Sequence, residues 1–203
     1  MRRTDPGTLI ARVRPGHTIP LSATPNGPVV AQLSSKTEMG SPQTFAVSRA
    51  LPGRRYAVIT TVLPNGRVGW ITAPRGALRL GRTSARLEVD LSRRLLRVWI
   101  GARVVRKIGV GIGAPGSPTP VGRFAVTDKL NGADYSPAYG CCILALSGHQ
   151  THLPSGWTGG DRIAIHGGST TGAVSAGCLH APTGALRYLM RLVPLGAQVV
   201  IHP

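Results

Sequence analysis

The chain has 203 residues, 42% of them apolar and 4% aromatic, with 27 glycines, 17 prolines and a formal charge of +17. That length holds one large domain or two small ones around an aliphatic core, and the glycine and proline content suits short strands and turns better than long helices. No run reaches the roughly 18 apolar residues of a membrane span, and no helix-turn-helix, zinc-finger or RNP-type motif accompanies the charge, so nucleic acid is not an expected partner. The charge forms no tail. Residues 1–80 carry 11 basic and 2 acidic groups, and residues 81–203 carry 13 and 5. Such a surface favours a polyanion, or it is a solvated arginine-rich face, since only Lys36, Lys107 and Lys129 are lysines.

Residues 1–14 are basic and aperiodic and are expected to form an arm or linker. The first thirty residues lack the charged start, apolar core and small-residue cleavage site of a signal peptide, so a leader or anchor is expected to be missing from this chain. From residue 15 to 82, short apolar runs alternate with turn signals: Val29 to Leu33, Thr44 to Val47, Tyr56 to Val62 and Val68 to Thr72. Pro25-Asn26-Gly27 and Pro64-Asn65-Gly66 mark tight turns, because Asn-Gly tolerates positive φ. The pattern predicts a small antiparallel β-barrel.

A second domain is predicted over residues 83–203. Leu87, Val89 and Leu91 alternate with polar residues, as do Leu96, Val98 and Ile100, which predicts half-buried strands. Further strands are expected over Val104 to Ile112, Phe124 to Val126, Ile143 to Leu146, Arg162 to Ile165 and Gln198 to Ile201. One helix is predicted from Thr183, as its N-cap, to about Val193. There Leu186, Leu189, Met190 and Val193 fall at i, i+3, i+4 and i+7 and form an apolar stripe. The fold class is therefore mainly β, with one short helix.

Two segments carry chemistry. Arg162-Ile-Ala-Ile165 reads as a strand that ends in His166-Gly167-Gly168. Cys178 follows His166 by twelve residues, in Ser175-Ala176-Gly177-Cys178-Leu179-His180. A thiol becomes a strong nucleophile when a base takes its proton, and an imidazole is the usual base. The bare Gly177 lets a carbonyl approach the N–H groups of Gly177 and Cys178, which would make an oxyanion hole. Nucleophile, base and oxyanion donors imply acyl transfer, and a catalytic Cys178 is expected to have a lowered pKa. Ser175 is a donor to the histidine or the substrate, or only a turn residue. Tyr139 and Trp157 either flank the cleft or pack in the core. Asp161 lies on the wrong side of its strand to orient His166. Of the three cysteines, the adjacent Cys141 and Cys142 are expected to stay unpaired, because a bridge would strain the peptide between them. The spacing of His166, Cys178, His180, Cys141 and Cys142 matches no common zinc pattern, and no metal or cofactor is expected.

At these residues the chain resembles the YkuD-type L,D-transpeptidases of bacterial cell walls. Their His-Gly pair and Ser-x-Gly-Cys motif match His166-Gly167 and Ser175 to Cys178. The stretch Arg86 to Trp99 resembles their opening hairpin, and Gly113 to Phe124 their Thr-Pro-x-Gly-x-Phe loop. The resemblance covers roughly residues 84–203, and it implies a β-sandwich or barrel catalytic domain. Pro64 to Ile71 resembles the closing strand of bacterial SH3-like modules, which implies an SH3-like barrel over 15–82 for wall binding or for support. The resemblance implies Cys178 as nucleophile, His166 as base and a backbone carbonyl near Gly167 as the orienting third member. It implies peptidoglycan stem peptides as substrates and a place outside the cytoplasmic membrane, where the cation-rich surface would suit anionic wall polymers as further partners. Two features depart from the family. The loop between His166 and Cys178 is short, and His180 replaces the usual Arg, so it would hold a substrate carboxylate in that residue's place. Two alternatives stay open: an L,D-carboxypeptidase, with water as acceptor, and a non-catalytic wall-binding protein.

Overall fold

Alternating apolar residues on one face build the first sheet. The computed structural model describes residues 7–203. Its first half holds β1 (Thr8–Val13), β2 (Ile19–Ser22), β3 (Val29–Leu33), β4 (Thr44–Leu51), β5 (Arg55–Ile59), β6 (Val68–Thr72) and β7 (Leu78–Thr83). They form one seven-stranded antiparallel sheet in the order β3-β2-β6-β5-β4-β1-β7. Ala11, Ile19, Leu21, Phe45, Val58 and Ile71 turn inward to its core. The strand β1 corrects the expected arm. Residues 1–6 lie outside the described residues, but Thr8–Val13 pairs with both β4 and β7. Within it Ala11 and Val13 are buried and Arg12 is exposed, an alternation too short to stand out beside the basic residues around it.

The second half opens with the antiparallel hairpin β8 (Ala85–Asp90) and β9 (Leu95–Ile100), followed by β10 (Arg103–Gly109) and the two-residue β11 (Ile112–Gly113). Long β12 (Gly122–Asn131) and β13 (Cys142–His149) flank two 3-10 turns, Gly132–Asp134 and Pro137–Tyr139. Then come β14 (Arg162–His166), β15 (Ala173–Ser175), β16 (Leu179–His180), the helix α1 (Thr183–Leu192) and β17 (Gln198–His202). The main sheet runs β10-β9-β8-β17-β12-β13-β14-β16, and β11 pairs with β15 beside it. Two pairs within the main sheet are parallel, β8 with β17 and β14 with β16, and so is β11 with β15. The β14 and β16 pair sets the site: it puts Ile165 opposite Leu179 and His166 opposite His180, so the residue before Leu179, Cys178, lies at the same sheet edge as His166.

The helix packs Ala185, Leu186 and Leu189 onto a core that includes Leu144, Leu146, Ile163, Ile165 and Leu179. Its N-cap is Pro182, with no side-chain capping bond, so Thr183 lies in the first turn instead of capping it. The Leu186 amide makes the first helical bond to Pro182 O, and the Ala185 amide turns back to the same oxygen, which satisfies one of the free donors that a helix start leaves.

The two halves meet along a seam that is both apolar and polar. Ala46 and Ile59 pack on Ala125. Thr37 Oγ1 donates to Oδ1 of Asp128, whose side chain is 0% exposed. Arg162 reaches back from β14 to Glu38 at 2.8 Å and also donates to Leu146 O and Thr127 Oγ1. Asn65, from the second Asn-Gly turn, clamps His149 by donating to its O (2.6 Å) and accepting from its N (2.9 Å).

Candidate active site

The strand β14 delivers His166, 6% exposed, and the turn after β15 delivers a half-buried Cys178. Both line one cavity of about 190 Å³, with Tyr139, Gln150, Trp157, Asp161, Ser175 and His180 among the other lining residues. Nδ1–H of His166 donates to Gly167 O at 2.6 Å. That bond fixes the tautomer and leaves Nε2 as the basic nitrogen. Gly167 N–H in turn donates to Tyr139 O at 2.8 Å, and the Tyr139 ring stands edge-on to the imidazole with centroids 4.6 Å apart. A side chain at 167 would run into Tyr139 O and Gly140 Cα, so the close approach requires glycine.

Burial pulls the His166 imidazole from 6.5 down to about 4; its bond to Gly167 O works the other way, and the neighbouring His180 adds to the fall. Burial pushes the Cys178 thiol up, opposed by a backbone hydrogen bond at Ala164. Desolvation disfavours whichever form is charged, so the resting pair is a neutral thiol and a neutral imidazole. No hydrogen bond joins them directly among the described residues. The sequence-based expectation of a lowered thiol pKa is thus corrected: burial acts in the opposite direction.

The turn that carries Cys178 is closed by Ser175. Its hydroxyl accepts from Gly177 N–H at 3.1 Å and donates to Cys178 O at 2.6 Å. Ser175 therefore bonds neither to His166 nor outward into the cavity. The same bond commits the Gly177 N–H, one of the two expected oxyanion donors, and leaves the Cys178 N–H as the other. Gly177 has φ of +112°, a conformation that side chains rarely adopt.

His180 lies beside the pair, its ring centroid 4.8 Å from that of His166, and its Nδ1–H donates to Ser169 O at 3.1 Å. Gly168 makes room for it, since a Cβ there would meet the imidazole. Tyr139 and Trp157 are cavity walls and belong to neither large core cluster. Trp157 is 44% exposed, on the loop between β13 and β14. Asp161 pairs with His149 at 2.9 Å and makes no bond to His166. Cys141 and Cys142 are joined to each other in a disulfide, which corrects the expectation that they stay unpaired. The peptide between them follows Gly140, at φ +68°, where the 3-10 turn swings into β13. Bonded to each other, they offer no thiolate to a metal, and no group of three or more His, Cys, Asp or Glu side chains is arranged to hold one among the described residues.

One residue of the site escaped sequence reasoning. Gln150 is 5% exposed, and its amide Nε2 donates to Pro118 O at 2.9 Å and to Ala176 O at 3.2 Å. Its Oε1 accepts from His152 N at 2.9 Å. No motif marks it, because its partners are main-chain atoms, two of them more than twenty residues away.

Comparison with known proteins bears on this geometry. The family described as the L,D-transpeptidase catalytic domain, YkuD, matches residues 84–201. No curated protein matches the chain. Among solved structures, a mutant L,D-transpeptidase of Enterococcus faecium is 24% identical over 59% of this chain and 50% of its own, with a TM-score of 0.44. An L,D-transpeptidase from Mycobacterium smegmatis is 16% identical over 78% of this chain and 82% of its own, at 0.48. L,D-transpeptidase 1 of Mycobacterium tuberculosis is 17% identical over 67% and 77%, at 0.44. The chain thus spans about half the length of the Enterococcus faecium protein. Similarities this distant add no argument, and the assignment stands on the family match, which takes in more than half of the chain and both candidate motifs. The chain belongs to the YkuD family of L,D-transpeptidase catalytic domains.

Proposed function

We propose that the chain is a peptidoglycan L,D-transpeptidase that works through a thioester on Cys178. One observation carries the reading beyond family membership: Cys178 and His166 line one cavity, and Gly167 O holds the histidine with its second nitrogen free. His166 takes the thiol proton as sulfur attacks the carbonyl of the third residue of a tetrapeptide stem. The tetrahedral oxyanion forms against the Cys178 N–H. His166 then gives the proton to the departing amine, and D-alanine leaves. The side-chain amine of a second stem attacks the thioester, loses a proton to His166 and forms the cross-link, which frees the thiol. With water as the acceptor the same cycle is an L,D-carboxypeptidase.

His180 stands at the edge of the pair and serves the carboxylate that an Arg holds in relatives. Tyr139 and Trp157 wall the stem peptide. The activity places the protein outside the cytoplasmic membrane, where stem peptides are found. The first sheet is read as an SH3-like module that steadies the catalytic half across the Asp128 and His149 contacts. Its basic surface suits anionic wall polymers.

Incubation with a disaccharide-tetrapeptide tests the reading. Free D-alanine and a cross-linked dimer are expected, and both vanish in Cys178→Ala. A tripeptide product without dimer would assign the carboxypeptidase, and no released D-alanine at all would reject the enzyme.

A further inference from the structure

The Ala176–Gly177 peptide, one before the peptide that joins Gly177 to Cys178, is gripped at both ends. Its N–H, on Gly177, donates to Ser175 Oγ, and its carbonyl, on Ala176, accepts from Gln150 Nε2. The first grip is local, two residues along the same turn. The second comes from the far end of β13, 26 residues away. The same Gln150 amide spends its other proton on Pro118 O, in the proline loop that precedes β12. Its Oε1 takes His152 N, and its own N–H donates to Asp161 O at 2.6 Å. One buried side chain thus holds three loops in register: the nucleophile turn, the proline loop and the Trp157 loop. The fit is tight, because a Cβ on Gly177 would overlap the Gln150 amide. A glutamine suits the place better than other residues of its size. Both of its N–H groups face carbonyl oxygens and its carbonyl faces an N–H, so every polar atom of the amide is matched. Methionine would fill the volume without the bonds, and glutamate would set an acceptor against two acceptors.

We propose that Gln150 is a positioning residue for acylation, setting the Ala176–Gly177 peptide and with it the Cys178 N–H that receives the oxyanion. This inference rests on Cys178 being the nucleophile of the proposed reaction. Two reactions of that thiol separate positioning from general support. Acylation by a carbapenem builds an oxyanion and needs the turn in place. Alkylation by iodoacetamide displaces iodide, builds no oxyanion and needs only the thiol and its base.

In Gln150→Met, acylation measured by intact-protein mass should slow by about 10- to 100-fold, the scale of a misplaced reacting group. Alkylation should stay within about twofold. Gln150→Glu gives a second signature. Ionised, the carboxyl has no proton for Pro118 O or Ala176 O; protonated, it has one. Its acylation rate, taken as a ratio to the parent at each pH, should therefore rise several-fold as pH falls from about 8 to about 5. If Gln150→Met does not fold, this ratio decides.

Equal losses in acylation and alkylation would mean bulk structural support and overturn the proposal, as would parent-like acylation in Gln150→Met or a flat ratio in Gln150→Glu. A parent protein that forms no carbapenem adduct would sink the enzymatic reading and this inference with it. A parent that acylates alongside equally reactive variants would sink this inference alone.

Discussion

His166 is the residue on which pH acts. Buried and held at about 4, it stays a free base through the range in which an ordinary imidazole, near 6.5, would take a proton. With His166 as base, the acid limb of the acylation rate should fall near pH 4. A limb near 6.5 would mean that the ring is solvated in the working enzyme. The same depression affects stability. Between about 4 and about 6.5 the unfolded chain binds the proton and the folded chain does not, so stability rises with pH across that window. His166 thereby contributes of order 2–3 kcal/mol at neutral pH, lost as pH falls through the window. Denaturant melts from pH 7 to 4 should show this slope, and His166→Gln should flatten it. Ser175 is a second residue-scale case. Ser175→Ala removes two hydrogen bonds from a buried turn and should cost about 1–2 kcal/mol in the same melts, with slower acylation as the turn loosens. Unchanged stability would show that the turn is held by other contacts.

The elements that place these residues were legible in proportion to how strongly they alternate. Leu87 with Val89, and Leu96 with Val98, mark β8 and β9, and the 3-4 spacing of Leu186, Leu189 and Val193 marks α1. Edge strand β7 escaped because almost all of it faces solvent. Strands β15 and β16 escaped because three and two residues carry no period, and pairing with β11 and β14 alone makes them strands. In the candidate site, the meeting of Cys178 and His166 in one cavity was readable because a glycine-flanked motif carries each. Gln150, the disulfide partners and the inward turn of Ser175 were not, since each depends on what a distant segment brings near. The nucleophile turn gives the prediction at this scale. Gly177→Ala combines a positive φ with an overlap on Gln150. It should reduce acylation at least tenfold, and destabilise by about 1–3 kcal/mol. A fully active Gly177→Ala would mean that the turn is more plastic than its bonds imply.

Across the whole molecule, the first sheet meets the second half through a small apolar cluster and several polar contacts, and the value of each polar contact follows its burial. Asp128 is 0% exposed and takes its Oδ1 bond from Thr37, on the opposite side of the seam. Thr37→Val would leave that oxygen without its partner and should cost about 1–3 kcal/mol. Glu38, the partner of Arg162, has a side chain 67% exposed, so Glu38→Gln should cost less than about 1 kcal/mol. Chemical denaturation of both variants checks the order; the reverse order would mean that the charge pair, not the buried carboxylate, ties the halves together. Arg162 starts the strand that ends in His166, so the seam contacts bear on the far end of the strand that carries His166.

All of this hangs on Cys178 as the acylated atom, and intact-protein mass after incubation with a carbapenem tests that most directly. One covalent adduct is expected on the parent chain and on a Cys141→Ala/Cys142→Ala double variant, and none on Cys178→Ala. An adduct that survives in Cys178→Ala, or that disappears with Cys141 and Cys142, would contradict the account.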